Sequence, residues 1–210
     1  MIMIQRLHYS IIGMEKQHCL EKIHQIYREP SDINLHIPAI IELAKECDTI
    51  TEMGVRGIVS TWAWLAGNPK NGLISYDLVD PSNWGGKIED VYETAKAYSI
   101  PFKFIETNVL EIEIEETDLL FIDTWHCYDQ LKLELEIHSN KAKKYICFHD
   151  TTTYAHRPET LEAVPSFKGT LTPNKGLWDA VQEFLDENPE VWELKKRYEF
   201  NNGFTVIKRK

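Results

Sequence analysis

The strongest constraint on this chain is a repeating alternation. Short apolar runs, each about the length of a strand, are separated by segments with helical spacing. The runs are DTITEM (48–53), GLISYDLV (72–79), FKFIET (102–107), DLLFID (118–123) and KYICFHD (144–150). Between them lie GIVSTWAWLAG, KIEDVYETAKAYS and YDQLKLELEIHS. Strand, helix, strand, helix is the signature of a parallel sheet covered on both faces, and right-handed crossovers leave few topologies open to it. Ahead of the runs, a cap signal at Ser31-Asp32 opens INLHIPAIIELAKEC, whose Ile37, Ile40, Ile41 and Ala44 recur at helical spacing. The last part departs from the alternation. Gly176 starts the helix LWDAVQEFLDENP, and two strand-like runs follow, separated by Asn201-Asn202-Gly203, a hairpin signal that predicts antiparallel neighbours.

A length of 210 residues fits one domain of ordinary size. The expected organisation is an N-terminal helical segment (1–47), a ligand-binding core (48–150), a lid-like loop (151–175), and a closing helix with hairpin (176–210). The run EIEIEE at 111–116 reads as an edge strand or a solvated loop. Twenty-three basic against 33 acidic residues leave a formal charge of −10, which argues against a nucleic-acid partner bound through its phosphates. No apolar run approaches the ~20 residues that span a bilayer, and the first thirty residues lack the pattern of a secretory signal. Cys19, Cys47, Cys127 and Cys147 are far apart and form no CxxC pair, so reduced thiols in a cytoplasmic protein are expected.

In an open parallel sheet, ligands bind beyond the carboxyl ends of the strands. The first strand ends Glu52-Met53-Gly54-Val55-Arg56-Gly57, then Ser60-Thr61. Glycines at 54 and 57 let a ligand approach the backbone, and free amides at the following helix start, with Ser60 and Thr61, suit a carboxylate. Asp77, ending the second strand, can accept hydrogen bonds from a ribose hydroxyl pair. Neither GxGxxG nor GxxxxGK(S/T) is present, so phosphate cradling is poorly supported. At the next two strand ends stand Asp123-Thr124-Trp125-His126 and His149-Asp150. Two converging carboxylates there could hold a hard divalent cation such as Mg²⁺ or Mn²⁺. His126 could take the proton of a substrate hydroxyl. Each aspartate could equally be a turn or cap residue, and His126 could cap the next helix. Trp125 and Tyr128 could wall a substrate or merely pack. The remaining histidines read as surface or core, with His156 placed in the lid.

The order Glu52-x-Gly54-x-Arg56-Gly57, Asp77, DLLFID, FHDT resembles class I S-adenosylmethionine-dependent methyltransferases. More narrowly, it resembles the branch holding cephalosporin-hydroxylase-like and rhamnosyl or macrolide-sugar O-methyltransferases, from about Ser31 to the C-terminus. The resemblance implies an α/β, Rossmann-like, doubly wound sheet of seven mostly parallel strands with one antiparallel strand near its edge. It implies that Glu52, Gly54, Arg56, Gly57, Ser60 and Asp77 border S-adenosylmethionine, with Asn108 near the adenine. It implies an Asp-x-x-His pattern, matched by Asp123 and His126, giving a metal ligand and the catalytic base, and then an acidic pair of ligands. Asp150 matches the second of that pair, but His149 stands where the first would be. His149 is thus open as a nitrogen ligand, as a residue orienting a ligand, or as a sign of a weak or absent metal. The implied acceptor is a hydroxyl of a sugar or glycan, and Met1-Ile2-Met3 is compatible with a domain cut from a larger glycan-building enzyme. Two other readings stand beside it: a nicotinamide-dependent oxidoreductase on the same architecture, and a non-catalytic cofactor-binding module.

Overall fold

The structure, a computed structural model, describes residues 18–210. Of the N-terminal helical segment expected from the sequence, residues 18–28 are helical, and the part before residue 18 lies outside the described residues. The strands are β1 (Thr49–Met53), β2 (Gly72–Asp77), β3 (Phe102–Glu106), β4 (Thr117–Ile122), β5 (Ala142–His149), β6 (Trp192–Tyr198) and β7 (Phe204–Arg209). The helices are α1 (Ile37–Ala44), α2 (Val59–Ala66), α3 (Ile88–Tyr98), α4 (Tyr128–His138) and α5 (Leu177–Glu187). They build one seven-stranded sheet in the order β3-β2-β1-β4-β5-β7-β6. Every pairing from β3 to β5 is parallel, and β7 alone is reversed, antiparallel to both β5 and β6.

Side chains alternate across the strands and divide the core in two. Leu119 and Phe121 join Ile50, Leu73, Cys147 and Phe204 beneath Ile40, Trp62, Trp64 and Val91 of α1, α2 and α3. Leu120 and Ile122 join Ile146, Phe148 and Ile207 beneath Leu131, Leu135, Val181 and Phe184 of α4 and α5. Burial on both faces explains why β1, β2, β4 and β5 read as near-continuous apolar runs. The edge strand β6 is different: Glu193 to Lys196 are exposed and the register shifts between Leu194 and Lys196, two devices that discourage pairing with another chain.

The hairpin forms as its turn residues demand. Asn201 (φ 49°) and Asn202 (φ 66°) are both left-handed, and Gly203 N–H donates to the Phe200 carbonyl at 2.9 Å, a twist that matches the flanking strands. The Ser31 cap signal is real but serves the 3₁₀ turn Asn34–His36, whose Asn34 N–H donates to Ser31 Oγ at 3.0 Å; α1 starts after it, at Ile37. Residues 111–116 form no strand. Ile114 is buried, while Glu113 and Glu116 pair with Lys141 and Lys143. Residues 151–175 hold turns and one isolated bridge, Val164 to Phe167, and fold back over the rim of the sheet.

Candidate active site

Register fixes where the chemistry collects. Met53 pairs with Tyr76 and with Ile122, and Ile122 with Phe148, so the residues just beyond these positions share one rim. There a cavity of ≈ 920 Å³ opens, within the range of small-molecule sites. Its wall includes Gly54, Asp77 and Asn108 toward one end and Asp123, His126 and Asp150 toward the other.

The first end is a tight turn. Gly54 has φ +88°, and a Cβ there would lie 1.9 Å from the Asp123 carbonyl oxygen, so only glycine lets β1 and the end of β4 come this close. Arg56 and Ile58 are also left-handed. The amides of Val55 and Arg56 donate to Asp77 Oδ2 at 2.7 and 2.9 Å, and Val79 N–H donates to Oδ1 at 3.1 Å. Asp77 therefore clamps the glycine turn, and a carboxylate's roughly four acceptor positions leave it room for one donor more. Gly57, Ser60 and Arg56 also line the cavity.

Glu52, expected from the sequence to border a ligand, is not on the wall of this cavity. Fully buried under the turn, its Oε1 accepts from Ser60 at 2.6 Å, and its Oε2 from Thr61 at 2.8 Å and Ser75 at 2.6 Å. Burial raises its pKa to about 7 against the pull of those three hydroxyls. Glu52 thus braces α2 against β1 and β2, and the Ser60 hydroxyl is spent on it. Asn108 is on the wall, but its side chain is committed: Oδ1 accepts from Leu110 N–H, and Nδ2 donates to Glu111 and to the Ser166 carbonyl at 3.1 Å.

At the other end, Asp150 adopts φ 58°, a conformation few residues other than glycine tolerate and Asp tolerates better than most. Its Oδ2 lies 2.9 Å from His126 Nε2 and 3.0 Å from His149 Nδ1. Asp123 Oδ1 lies 3.6 Å from His126 Nε2 and 3.3 Å from His149 Nδ1. Among the described residues, Asp123, His126 and Asp150 form the group whose donor atoms all lie within 4.8 Å of one another and could hold a metal ion. His149 lies outside that group. It is buried away from the large cavity, and its Nε2–H donates to the Asp32 carbonyl at 2.9 Å while Nδ1 faces the two aspartates. It is a cationic brace beneath the carboxylates. Burial disfavours its charge, but the two aspartates overcome that and raise its pKa to about 10. Behind it, His36 is neutral, its pKa pushed by burial to about 4.

His126 lies at the cavity wall beside both aspartates. Burial opposes its charge, yet Asp123, Asp150 and Glu159 together raise its pKa to about 12. Both Asp123 and Asp150 are held below the ordinary carboxylate range, the two histidines outweighing the opposing effect of burial. Of the neighbours, Trp125 lines the cavity, whereas Tyr128 packs outside it, its hydroxyl donating to Glu183 at 2.5 Å. His156 is exposed and pairs with Asp179.

Sequence reasoning missed several wall residues: Asp32, Trp84, Gln130, Glu159 and Ser166. Glu159 and Ser166 come from the 151–175 loop, which therefore touches both ends of the cavity. Behind the wall, Glu134 is buried and accepts at Oε1 from Thr124 Oγ1 at 2.6 Å and Gln130 Nε2 at 2.8 Å, with burial raising its pKa to about 7.

No protein-family model and no curated protein matches the sequence. The fold does have solved counterparts. SAH-bound methyltransferase PaMTH1 of Podospora anserina superposes with a TM-score of 0.55 at 18% identity, over 91% of this chain and 87% of that one. The O-methyltransferase of Bacillus cereus in complex with SAH gives 0.58 at 12%, over 96% and 91%. Cofactor-bound Rv0187 from MTB gives 0.58 at 13%, over 92% and 88%. At such identities the likeness establishes architecture: this chain has the Rossmann-like fold of SAH-binding methyltransferases, its β7 reversed within the seven-stranded sheet.

Proposed function

We propose that this chain is an S-adenosylmethionine-dependent O-methyltransferase acting on a hydroxyl of a sugar or glycan with the help of a divalent cation. The observation that carries the reading is a single cavity with two unlike ends. A glycine turn clamped by a strand-end aspartate stands at one, and an Asp-His-Asp cluster at the other. The SAH-bound methyltransferase of Podospora anserina and the SAH complex of the Bacillus cereus O-methyltransferase, which share this fold, support it.

The residues fit a cation. Asp150 Oδ1 is buried with no hydrogen-bond partner among the described residues, an unusual state for a carboxylate oxygen and one that a ligand would relieve. Two carboxylates and an imidazole suit Mg²⁺ or Mn²⁺, with water and acceptor oxygens completing the shell. Held by Asp123 and Asp150, with His126 as a third possible ligand, such an ion would make a bound hydroxyl more acidic and weaken the hold of His126 on its own proton. The protein's own part is alignment. The Gly54 turn and Asp77 would seat the nucleoside, and the cluster would hold the acceptor oxygen in line with the sulfonium methyl. When bound, the cofactor would supply an electrophilic sulfonium methyl, its S–CH₃ electrons staying on sulfur as the methyl goes to the acceptor oxygen. The acceptor proton would then need a base, for which His126 Nε2 is the candidate where it does not itself bind the ion.

The chain is acidic, and none of its described helices is long and apolar enough to cross a membrane. The proposed setting is cytoplasmic, as a free enzyme or a domain of a larger glycan-building one. The test is calorimetric titration with S-adenosylmethionine and SAH, followed by a mass-spectrometric screen of sugar acceptors with Mn²⁺ or with EDTA. Binding plus a gain of one methyl, lost in EDTA, is expected. Absence of cofactor binding would remove the reading, and binding without any product would leave a cofactor-binding module.

A further inference from the structure

His126 is held from two sides. Its Nε2 points to Asp150 and Asp123, as described. Its Nδ1 lies 2.9 Å from Oε2 of Glu159, 33 residues further along the chain in the loop over the cavity. The main chain repeats the connection, since Glu159 N–H donates to the His126 carbonyl at 2.9 Å. Side chain and backbone thus close a two-point clasp between the reaction-centre loop and the 151–175 loop. A third contact fixes the ring plane: Tyr154, from the same loop, stacks on the imidazole with centroids 4.8 Å apart and planes 5° from parallel. The other end of that loop is tied down separately, with Ser166 Oγ donating to Gln130 and the Ser166 carbonyl accepting from Asn108.

An imidazole's two nitrogens are distinct, and the group that meets one decides which way the other faces. A ring flipped about its Cβ–Cγ bond would present carbon in place of nitrogen to the aspartates. We propose that Glu159 is a positioning residue for His126: by accepting a hydrogen bond from Nδ1–H it aims Nε2 at Asp123 and Asp150, and it does so only while the 151–175 loop is docked. The assignment holds whether Nε2 takes a proton from the acceptor or binds the cation, because either role needs that nitrogen to face the cluster. A carboxylate behind a functional histidine commonly orients it in this way, and removing such a partner costs about 10–100-fold in activity or metal affinity. The inference rests on the proposed methyltransferase reading only for its kinetic consequence.

The experiment compares wild type with Glu159→Ala and Glu159→Gln, in ligand-free crystals and in steady-state assays. Glu159 borders the cavity with about a third of its side chain exposed, so neither variant removes core packing. In Glu159→Ala the His126 ring is expected to turn until Nε2 leaves hydrogen-bonding distance of Asp150. The value of kcat should fall about 10–100-fold with SAH affinity unchanged. Glu159→Gln, whose amide oxygen still accepts from Nδ1–H, should restore the ring and most of the rate. A ring unmoved in Glu159→Ala, or an unchanged kcat, overturns the assignment. Should the wild-type protein bind no SAH and methylate nothing, the proposed function fails, and the ring position alone then decides the role of Glu159.

Discussion

Two buried carboxylates on the same rim, Glu52 at the end of β1 and Asp150 just past β5, are treated in opposite ways. Glu52 is surrounded by three hydroxyls that occupy both its oxygens, and burial raises its pKa to about 7, halfway to being a neutral acid at physiological pH. Asp150 lies between two imidazoles, which hold it well below the ordinary range, and keeps one oxygen with no partner among the described residues. The glycine-turn end is a finished hydrogen-bonded scaffold that limits charge. The aspartate end concentrates charge and leaves a lone pair in waiting. A neutral, hydrogen-bonding ligand group suits the first, and a cation or a reacting hydroxyl suits the second.

The sharpest way to break the finished end is Gly54→Ala. A Cβ there would meet the Asp123 carbonyl oxygen at 1.9 Å and its carbon at 2.5 Å, both backbone atoms, at a φ that alanine avoids. A loss of about 3 kcal/mol or more in urea unfolding is expected, with SAH binding abolished in whatever remains folded. A variant that folds and binds normally would show that the two strand ends need no such closeness. Next is Asp150→Asn, which keeps the shape and removes the charge. Activity in Mn²⁺ should fall about 10²–10³-fold, the usual cost of deleting one preorganised electrostatic contact, while SAH affinity stays put. A fall in SAH affinity instead would merge the two ends into one.

The ends also respond to pH with different signs and in different windows. Glu52 has a folded pKa above its unfolded value of 4.5, so the native state binds the extra proton between pH 4.5 and about 7, and stability falls as pH rises through that window. Glu134, likewise raised to about 7, adds a second contribution in the same window, so Glu52→Gln should lose only the Glu52 share of the slope and gain about 2 kcal/mol relative to wild type between pH 5 and 7, read from urea midpoints. His126 and His149 are raised from 6.5 to about 12 and about 10, so their contribution is complete below pH 6.5 and is lost as pH climbs through those values. Asp150, depressed, contributes above its unfolded value near 3.8 and loses that contribution as pH falls. Replacing His149 by Gln should therefore flatten the alkaline limb and leave the slope between pH 5 and 7 intact. A change in the acidic slope would mean the two carboxylates titrate together.

The unequal legibility of the molecule in its sequence follows from the same contrast. Strands β1, β2, β4 and β5 are largely buried on both faces, so each appears as an apolar run, and Asn201-Asn202-Gly203 marks the hairpin because two left-handed residues in succession are what that turn requires. Asp77, Asp123 and Asp150 could be placed because strand ends share a rim once the sheet is parallel. Glu52 could not be told apart from a wall residue, since its three hydroxyl partners come from α2 and β2 and only packing shows that they enclose it. The placing of His149 is likewise hidden in the sequence, since the Asp32 carbonyl that holds its Nε2 lies 117 residues away. Glu159 lies in a loop with no period to read, and its meaning exists only in contact with His126.

At the finished end, Asp77→Asn should cost about tenfold in SAH affinity, the loss of charge from a hydrogen bond to a ribose hydroxyl, with kcat at saturating cofactor retained. The smallest effect is expected from Arg56→Ala. The guanidinium pairs with Asp32 Oδ2 at 3.0 Å, but the two side chains are 71% and 40% exposed, and it sits 5.9 Å above the solvent-facing Trp84 ring. Exposed pairs of this kind contribute at most about 1 kcal/mol, and the cation–π contact adds no more than a similar amount. What Arg56 gives Asp77 is its backbone N–H, which alanine supplies equally well. Stability should therefore drop only slightly and SAH affinity should hold. A loss matching that of Asp77→Asn would mean the guanidinium itself reaches the ligand, and the glycine-turn end would then carry a working charge of its own.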